Sequence, residues 1–337
     1  MSEMKVSIII PIYNGAAYIE HLVQQLNQQE QEGLEVVFVN DGSKDDSLQI
    51  LRSIKENMQL SFEMTIVDQE NGGICRARNK GLDVARGEYI VFMDQDDGIK
   101  PNAIKVLLQN MQKKSADIVL AGFELIDKQE NILETWILNP NDPWSTFRIN
   151  APWARMFRRS IIEENNIRFF ITKISEDFYF NYRYLSYCEN IVVIEDIVYQ
   201  WLMNEKSESH ANMSQYSKDR NVYEMLTALH KDMNKNHSLD KTCLEYGMIK
   251  HVTWYMFYVA KSTSKAVLTQ IHKEGIQWLN EHYPTYYKNK NLGLGMPESE
   301  RFGSRIVVKI VVLLERMHLL NFFLHLYAGN LFEKKGE

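Results

Sequence analysis

Apolar residues run in short, nearly unbroken blocks through the first hundred positions, with helical spacing between the blocks. Val6 to Ile12 is β-branched and continuous; Glu35 to Val39, Phe62 to Val67 and Tyr89 to Met93 follow. Blocks this apolar suit strands covered on both faces. Three helical stretches separate them, which predicts an α/β fold with a mostly parallel sheet flanked by helices. After Asp41-Gly42-Ser43, Ser43 is the expected helix N-cap, with Asp45 and Asp46 in the first turn. The next helix runs from about Gly73 to Ala85 and ends before Gly87. Pro101 opens a further one, reaching about Lys113 ahead of another strand, Asp117 to Gly122.

The pattern then changes twice. From Trp136 to Ile149 it is irregular, with Pro140 and Pro143 among Asn and Asp, so a loop or insertion is expected. Beyond about Ser214 no strand pattern remains, and Val222 to Ala260 reads as helical. A boundary near residue 215 divides an α/β domain, 1–215 with halves 1–100 and 101–215, from a helical C-terminal region, 216–337. The aromatic run Trp254 to Tyr258 reads as core of that region rather than as a sugar platform.

In the tail, Arg301, Arg305, Lys309 and Arg316 fall within an arc of about 80° at helical spacing, with the apolar residues mostly elsewhere. Such a basic amphipathic helix over 301–332 can make a peripheral membrane contact, or pack on its own domain or in a homo-oligomer interface. His318, Asn321, His325 and Asn330 make it a poor transmembrane segment.

Composition narrows the function classes. The 337 residues are 45% hydrophobic and 24% charged with a net charge of −6, which is globular and argues against nucleic acid as a partner. Cys75, Cys188 and Cys243 have neither disulfide nor zinc spacing. Pro11 interrupts the apolar run Val6 to Ile10 before it resembles a signal segment, so the expected location is cytoplasmic, at the inner face of the cell membrane if the tail binds there.

Ligands of open α/β sheets bind beyond the carboxyl ends of the strands. Here those ends read Pro11-Ile12-Tyr13-Asn14-Gly15, Asn40-Asp41-Gly42-Ser43, Asp68-Gln69-Glu70-Asn71-Gly72-Gly73 and Asp94-Gln95-Asp96-Asp97. Carboxylates crowded at a strand end repel one another unless a cation or hydrogen bonds balance them. Asp94 and Asp96 suit Mn²⁺ or Mg²⁺, hard ions that complete their shell with water and substrate phosphate.

In this order, VSIIIPIYNG, VNDGSKDDS, ENGGICRARNKGLDVARGEY and FMDQDD resemble the family 2 glycosyltransferases of the GT-A fold. APWARMFRRSIIEENNIRF and ISEDFYF resemble the acceptor side of the same family, so the likeness spans roughly residues 4–210. It implies an inverting enzyme of the bacterial surface or capsular polysaccharide type, moving sugar from a UDP-sugar to a glycan or lipid-linked glycan. The nucleotide-sugar would meet Pro11, Tyr13, Asn14, Asp41, Asn71, Arg78, Asp94 and Asp96. Asp96, with Asp94, would hold the metal, His210 offering a further ligand. Asp177 would be the catalytic base, with Glu176 and Trp153 on the acceptor side, while Asp97 would support the turn or the acceptor.

For each residue a plainer role competes: packing for Tyr13 and Trp153, a turn for Asp41, a surface charge for Arg78, helix capping for Glu176 and Asp177. The family's Arg after the ED helix is absent from Tyr199 to His210, leaving Lys206 or Arg155 as substitutes. Competing functions are a non-catalytic nucleotide-sugar-binding partner of another transferase, and a retaining or nucleotidyl-transfer enzyme.

Overall fold

The computed structural model describes residues 5–29, 31–203, 221–233, 239–260, 263–293 and 295–332. The chain forms two compact units, Met1–Pro140 with Asn150–Asn204, and Asn141–Ile149 with Glu205–Glu337.

The first unit runs β1 (Val6–Ile12), α1 (Ala16–Asn27), β2 (Leu34–Asp41), α2 (Ser47–Asn57), β3 (Glu63–Gln69), α3 (Ile74–Val84), β4 (Tyr89–Phe92), β5 (Gly98–Ile99) and α4 (Ala103–Lys113). It continues with β6 (Ile118–Ile126), β7 (Ile132–Trp136), β8 (Arg155–Arg158), α5 (Arg159–Glu164), α6 (Glu176–Leu185) and β9 (Ile191–Leu202). One sheet orders them β3-β2-β1-β4-β8-β6-β9-β5, with β7 beside β6. β1, β2 and β4 are wholly buried, as their unbroken apolar runs require.

The expected parallel core is β3-β2-β1-β4, in which Ile8 lies opposite both Val36 and Val91. Beyond β4 the sheet is mixed: β8 is antiparallel to β4 and β6, and β6 is parallel to β9. β8 is only four residues long with Arg at both ends, so neither length nor alternation reveals it in the sequence.

The helix after Asp41-Gly42-Ser43 begins later than expected, at Ser47. Ser43, Asp45 and Ser47 instead serve the start of α1. Their side chains accept from the N–H groups of Asn14 (3.0 Å), Ala16 (3.1 Å) and Gly15 (2.8 Å) respectively. The expected N-cap role of Ser43 is therefore corrected: Asp46 precedes α2, and Ser43 accepts from the backbone that leads into α1.

The second unit contains α7 (Val222–Met233), α8 (Lys241–Ala260), α9 (Lys265–His282), α10 (Phe302–Arg316) and α11 (Leu320–Phe332). α8 is buried on nearly all sides, and α9, α10 and α11 pack on it. The irregular segment supplies Asn141–Ile149 to this unit. There the Asp142 carboxylate accepts from the N–H groups of Trp144 and Ser299, both at 2.9 Å. The fully buried Trp144 indole donates to Glu300 (3.1 Å) and meets Tyr246 edge-on. Tyr255 and Met256 are core, whereas Trp254 points outward and stacks on Tyr258. The tail forms two helices rather than one, broken at His318, whose φ is +59°.

Candidate active site

Four strand ends and the start of α6 carry the candidate residues. At the end of β2, Asp41 is buried and its carboxylate accepts from Gln69 Nε2 (2.7 Å), Gly72 N (2.8 Å) and Gly73 N (2.8 Å). Asn71 Nδ2 donates to the Asp41 carbonyl (2.9 Å), so one aspartate organises the whole loop after β3. Gly42 has φ of +67°, and a Cβ there would meet Asn71 N at 2.7 Å, so only glycine allows this approach.

At the end of β1, Pro11 is buried in the sheet while Tyr13 and Asn14 are exposed. Gln95 holds the Tyr13 backbone from both sides, accepting from its N–H (2.9 Å) and donating to its carbonyl (3.1 Å). Tyr13 is 37% exposed. Asn14 has φ of +50° and accepts from Lys44 N (2.8 Å). The clamp of Gln95 on Tyr13 links residues 82 positions apart and so has no local signal in the sequence.

Arg78 lies on the buried face of α3, 1% exposed. Its Nη2 donates to Asp94 Oδ1 (2.7 Å), its Nη1 to Asp177 Oδ1 (2.6 Å), and Phe169 lies beneath it. Burial disfavours its charge, but Asp177 and Asp94 outweigh that and hold it protonated, with its pKa raised. The plainer role that competes for Arg78, a surface charge, does not hold, since both terminal nitrogens face carboxylates inside the protein.

Asp177 sits in the first turn of α6, after Ser175 in the left-handed region at φ of +67°. Its carboxylate is 29% exposed. Burial pushes its pKa up to about 7; Glu176 and Asp94 add to the rise, while Arg78 opposes it. Asp97 is buried and accepts from Tyr199 Oη (2.6 Å) and Leu202 N (2.9 Å), and burial followed by Asp94 and Asp96 raises its pKa. Tyr199 Oη also accepts from Asp94 N (3.1 Å), fixing the acidic turn to β9.

The donor set after β4 suits a hard cation. Asp94 and Asp96 are both partly open to solvent, and Arg78 engages one Asp94 oxygen. Among the described residues no three His, Cys, Asp or Glu side chains gather as a metal cage, and Asp94 and Asp96 are the two carboxylates this turn offers to such an ion.

Trp153 is corrected as an acceptor platform. It is 6% exposed, stacked face to face on Tyr199 at 4.7 Å and edge-on to Phe123, so its ring faces are occupied by protein. Trp201, exposed at the rim of the same cluster, was not singled out from sequence. Glu176 is partly exposed beside Asp177. Arg155 is buried near Asp177, with its pKa pushed down to about 9 by burial, and so does not sit on an open loop. His210 and Lys206 lie outside the described residues.

Residues 7–166 match the model of the family described as Glycosyl transferase family 2. Similar proteins include the glycosyltransferase GlyG of Streptococcus pneumoniae, 37% identical over 131 residues, 39% of this chain and 42% of that protein. GlyA of the same species is 26% identical over 223 residues, 61% of this chain but 31% of its own length. The chain thus spans less than half the length of these two relatives. The solved structure of Staphylococcus aureus TarS residues 1–349 with UDP-GlcNAc superposes with a TM-score of 0.72 at 19% identity, covering 94% of this chain and 92% of that one. This likeness, to a GT-A fold, establishes the architecture.

Proposed function

We propose that this chain, whose residues 7–166 match the family described as Glycosyl transferase family 2, is an inverting transferase moving a sugar from a UDP-sugar to a hydroxyl of a glycan in surface or capsular polysaccharide synthesis. The observation that carries this reading is the Arg78 bridge, which joins Asp94 of the donor side to Asp177 of the acceptor side. UDP is favoured because the TarS neighbour was solved with UDP-GlcNAc and with UDP, and because Tyr13 offers an open ring face for a base.

Inversion follows from a single displacement. Asp177 accepts the proton of the acceptor hydroxyl as that oxygen attacks the anomeric carbon from the face opposite the diphosphate, giving a β product from an α-linked donor. Arg78 stays protonated and holds the Asp177 carboxylate in place. Asp94 and Asp96 would hold Mn²⁺ or Mg²⁺, which when bound offsets charge on the departing UDP. A glycan or lipid-linked glycan is the acceptor class.

Nucleotide release from UDP-, GDP-, CDP- and dTDP-sugars, with Mn²⁺, Mg²⁺ or EDTA, tests the proposal without a known acceptor. Release from one UDP-sugar, abolished by EDTA and by Asp96→Asn, is expected. With acceptor present, Asp177→Asn should remove transfer. Full transfer by Asp177→Asn points to a retaining or nucleotidyl-transfer reaction, and UDP binding without turnover on any acceptor points to a non-catalytic binder.

A further inference from the structure

Helices α10 and α11 carry an apolar face left open by the described chain. On α10, Val308, Val311 and Val312 are buried, while Ile310 and Leu313 are 47% and 52% exposed. On α11, Leu320, Leu324 and Ala328 are buried, while Phe322 and Leu326 are 59% and 47% exposed. Met317, in the turn between the helices, is 55% exposed. Single exposed apolar residues are ordinary, but a row continuing across two successive helices marks an interaction surface.

The flanking charges select its partner. At helical spacing Arg305, Lys309 and Arg316 fall within about 40° of one another, along one edge of the open face of α10. The carboxylate of this helix, Glu315, is held on the inner side by His272 at 2.6 Å. From Met317 to Phe332 there is no Asp, Glu, Lys or Arg. A chain of net charge −6 therefore presents here an apolar strip bordered by cations. No described helix is long and apolar enough to cross a membrane. A second copy docked through the same face would supply no carboxylates to pair with the cation row.

We infer that this face lies in the surface of an anionic phospholipid bilayer, with Leu313, Met317 and Phe322 entering the headgroup–acyl boundary and Lys309 and Arg316 meeting lipid phosphates. The inference uses no residue of the α/β unit, so it stands apart from the transferase reading.

Flotation of the full chain with vesicles of phosphatidylcholine alone or mixed with phosphatidylglycerol tests it. Binding to the mixed vesicles, weakened by salt and absent from phosphatidylcholine alone, is expected. Lys309→Gln with Arg316→Gln should weaken it about fivefold per cation removed, and Leu313→Gln with Phe322→Gln should abolish it. Leu313, Arg316 and Phe322 are exposed and Lys309 is half-buried, all on the helical unit, so hydrolysis of a soluble UDP-sugar should be unchanged in both variants. No binding of the wild type to anionic vesicles overturns the inference. So does a dimer in sedimentation equilibrium that Leu313→Gln/Phe322→Gln dissociates, with no vesicle binding by the wild type.

Discussion

Asp94 and Asp177 are bridged by one buried guanidinium, Arg78 Nη2 lying 2.7 Å from Asp94 Oδ1 and Nη1 lying 2.6 Å from Asp177 Oδ1. The planar fork of Arg spans two acceptors at once, whereas the ammonium of Lys is a point charge on a flexible stem. Arg78→Lys should therefore retain charge but lose the bridge. A fall of about a hundredfold in kcat is expected, with a stability loss of about 2 kcal/mol, less than for a fully buried pair because both carboxylates reach solvent. Steady-state kinetics and urea unfolding of the same samples check both. A variant with full kcat would remove Arg78 from the positioning of Asp177.

With Asp177 as the proposed base, the rise of its pKa to about 7 should set the acidic limb of the rate profile. A base works only when deprotonated, so transfer should fall tenfold per pH unit as pH drops below about 7. Arg78 holds this pKa down against burial, Glu176 and Asp94. Removing that opposing charge with Arg78→Gln should move the limb to higher pH. The profile of kcat/KM for wild type and variant, measured with a fixed acceptor, decides this; an unmoved limb would assign the titration to another group.

Asp41 predicts a different kind of defect. Its carboxylate gathers one side-chain and two backbone donors of the loop after β3 while almost fully buried. Asp41→Ala leaves those donors without their acceptor, at a cost of about 2 kcal/mol, and releases the Asn71 segment. UDP affinity should fall about tenfold or more, with little effect on the pH profile. Calorimetric titration with UDP checks the affinity, and unchanged binding would confine Asp41 to stability.

What the sequence makes legible follows from how local each signal is. β1, β2 and β4 are evident because strands buried on both faces leave continuous apolar runs. Asp94, Asp96 and Asp177 stand out because acids at element starts and ends need a reason. The role of Arg78 is hidden, since its partners lie 16 and 99 residues away and a helical Arg looks like any surface charge. Trp153 reads as a sugar platform until Tyr199 covers its face. Asn141–Ile149 reads as a loop because Trp144 finds its partners, Tyr246 and Glu300, only in the helical unit.

The helical unit carries its own pH signature in His251 on α8. Burial, reinforced by Lys250, pushes the His251 pKa from 6.5 down to about 3. Its contribution to stability is therefore complete above pH 6.5. As pH falls below that value the unfolded chain takes up a proton that the folded chain refuses, and stability declines by up to about 1.4 kcal/mol per pH unit until about pH 3. His251→Gln removes this proton linkage. The loss of unfolding free energy between about pH 7.5 and about pH 5 should then be smaller in the variant by about 1 to 2 kcal/mol. Urea titrations followed by Trp fluorescence at both pH values measure it, and equal losses in the two proteins would show that His251 titrates normally in the folded state.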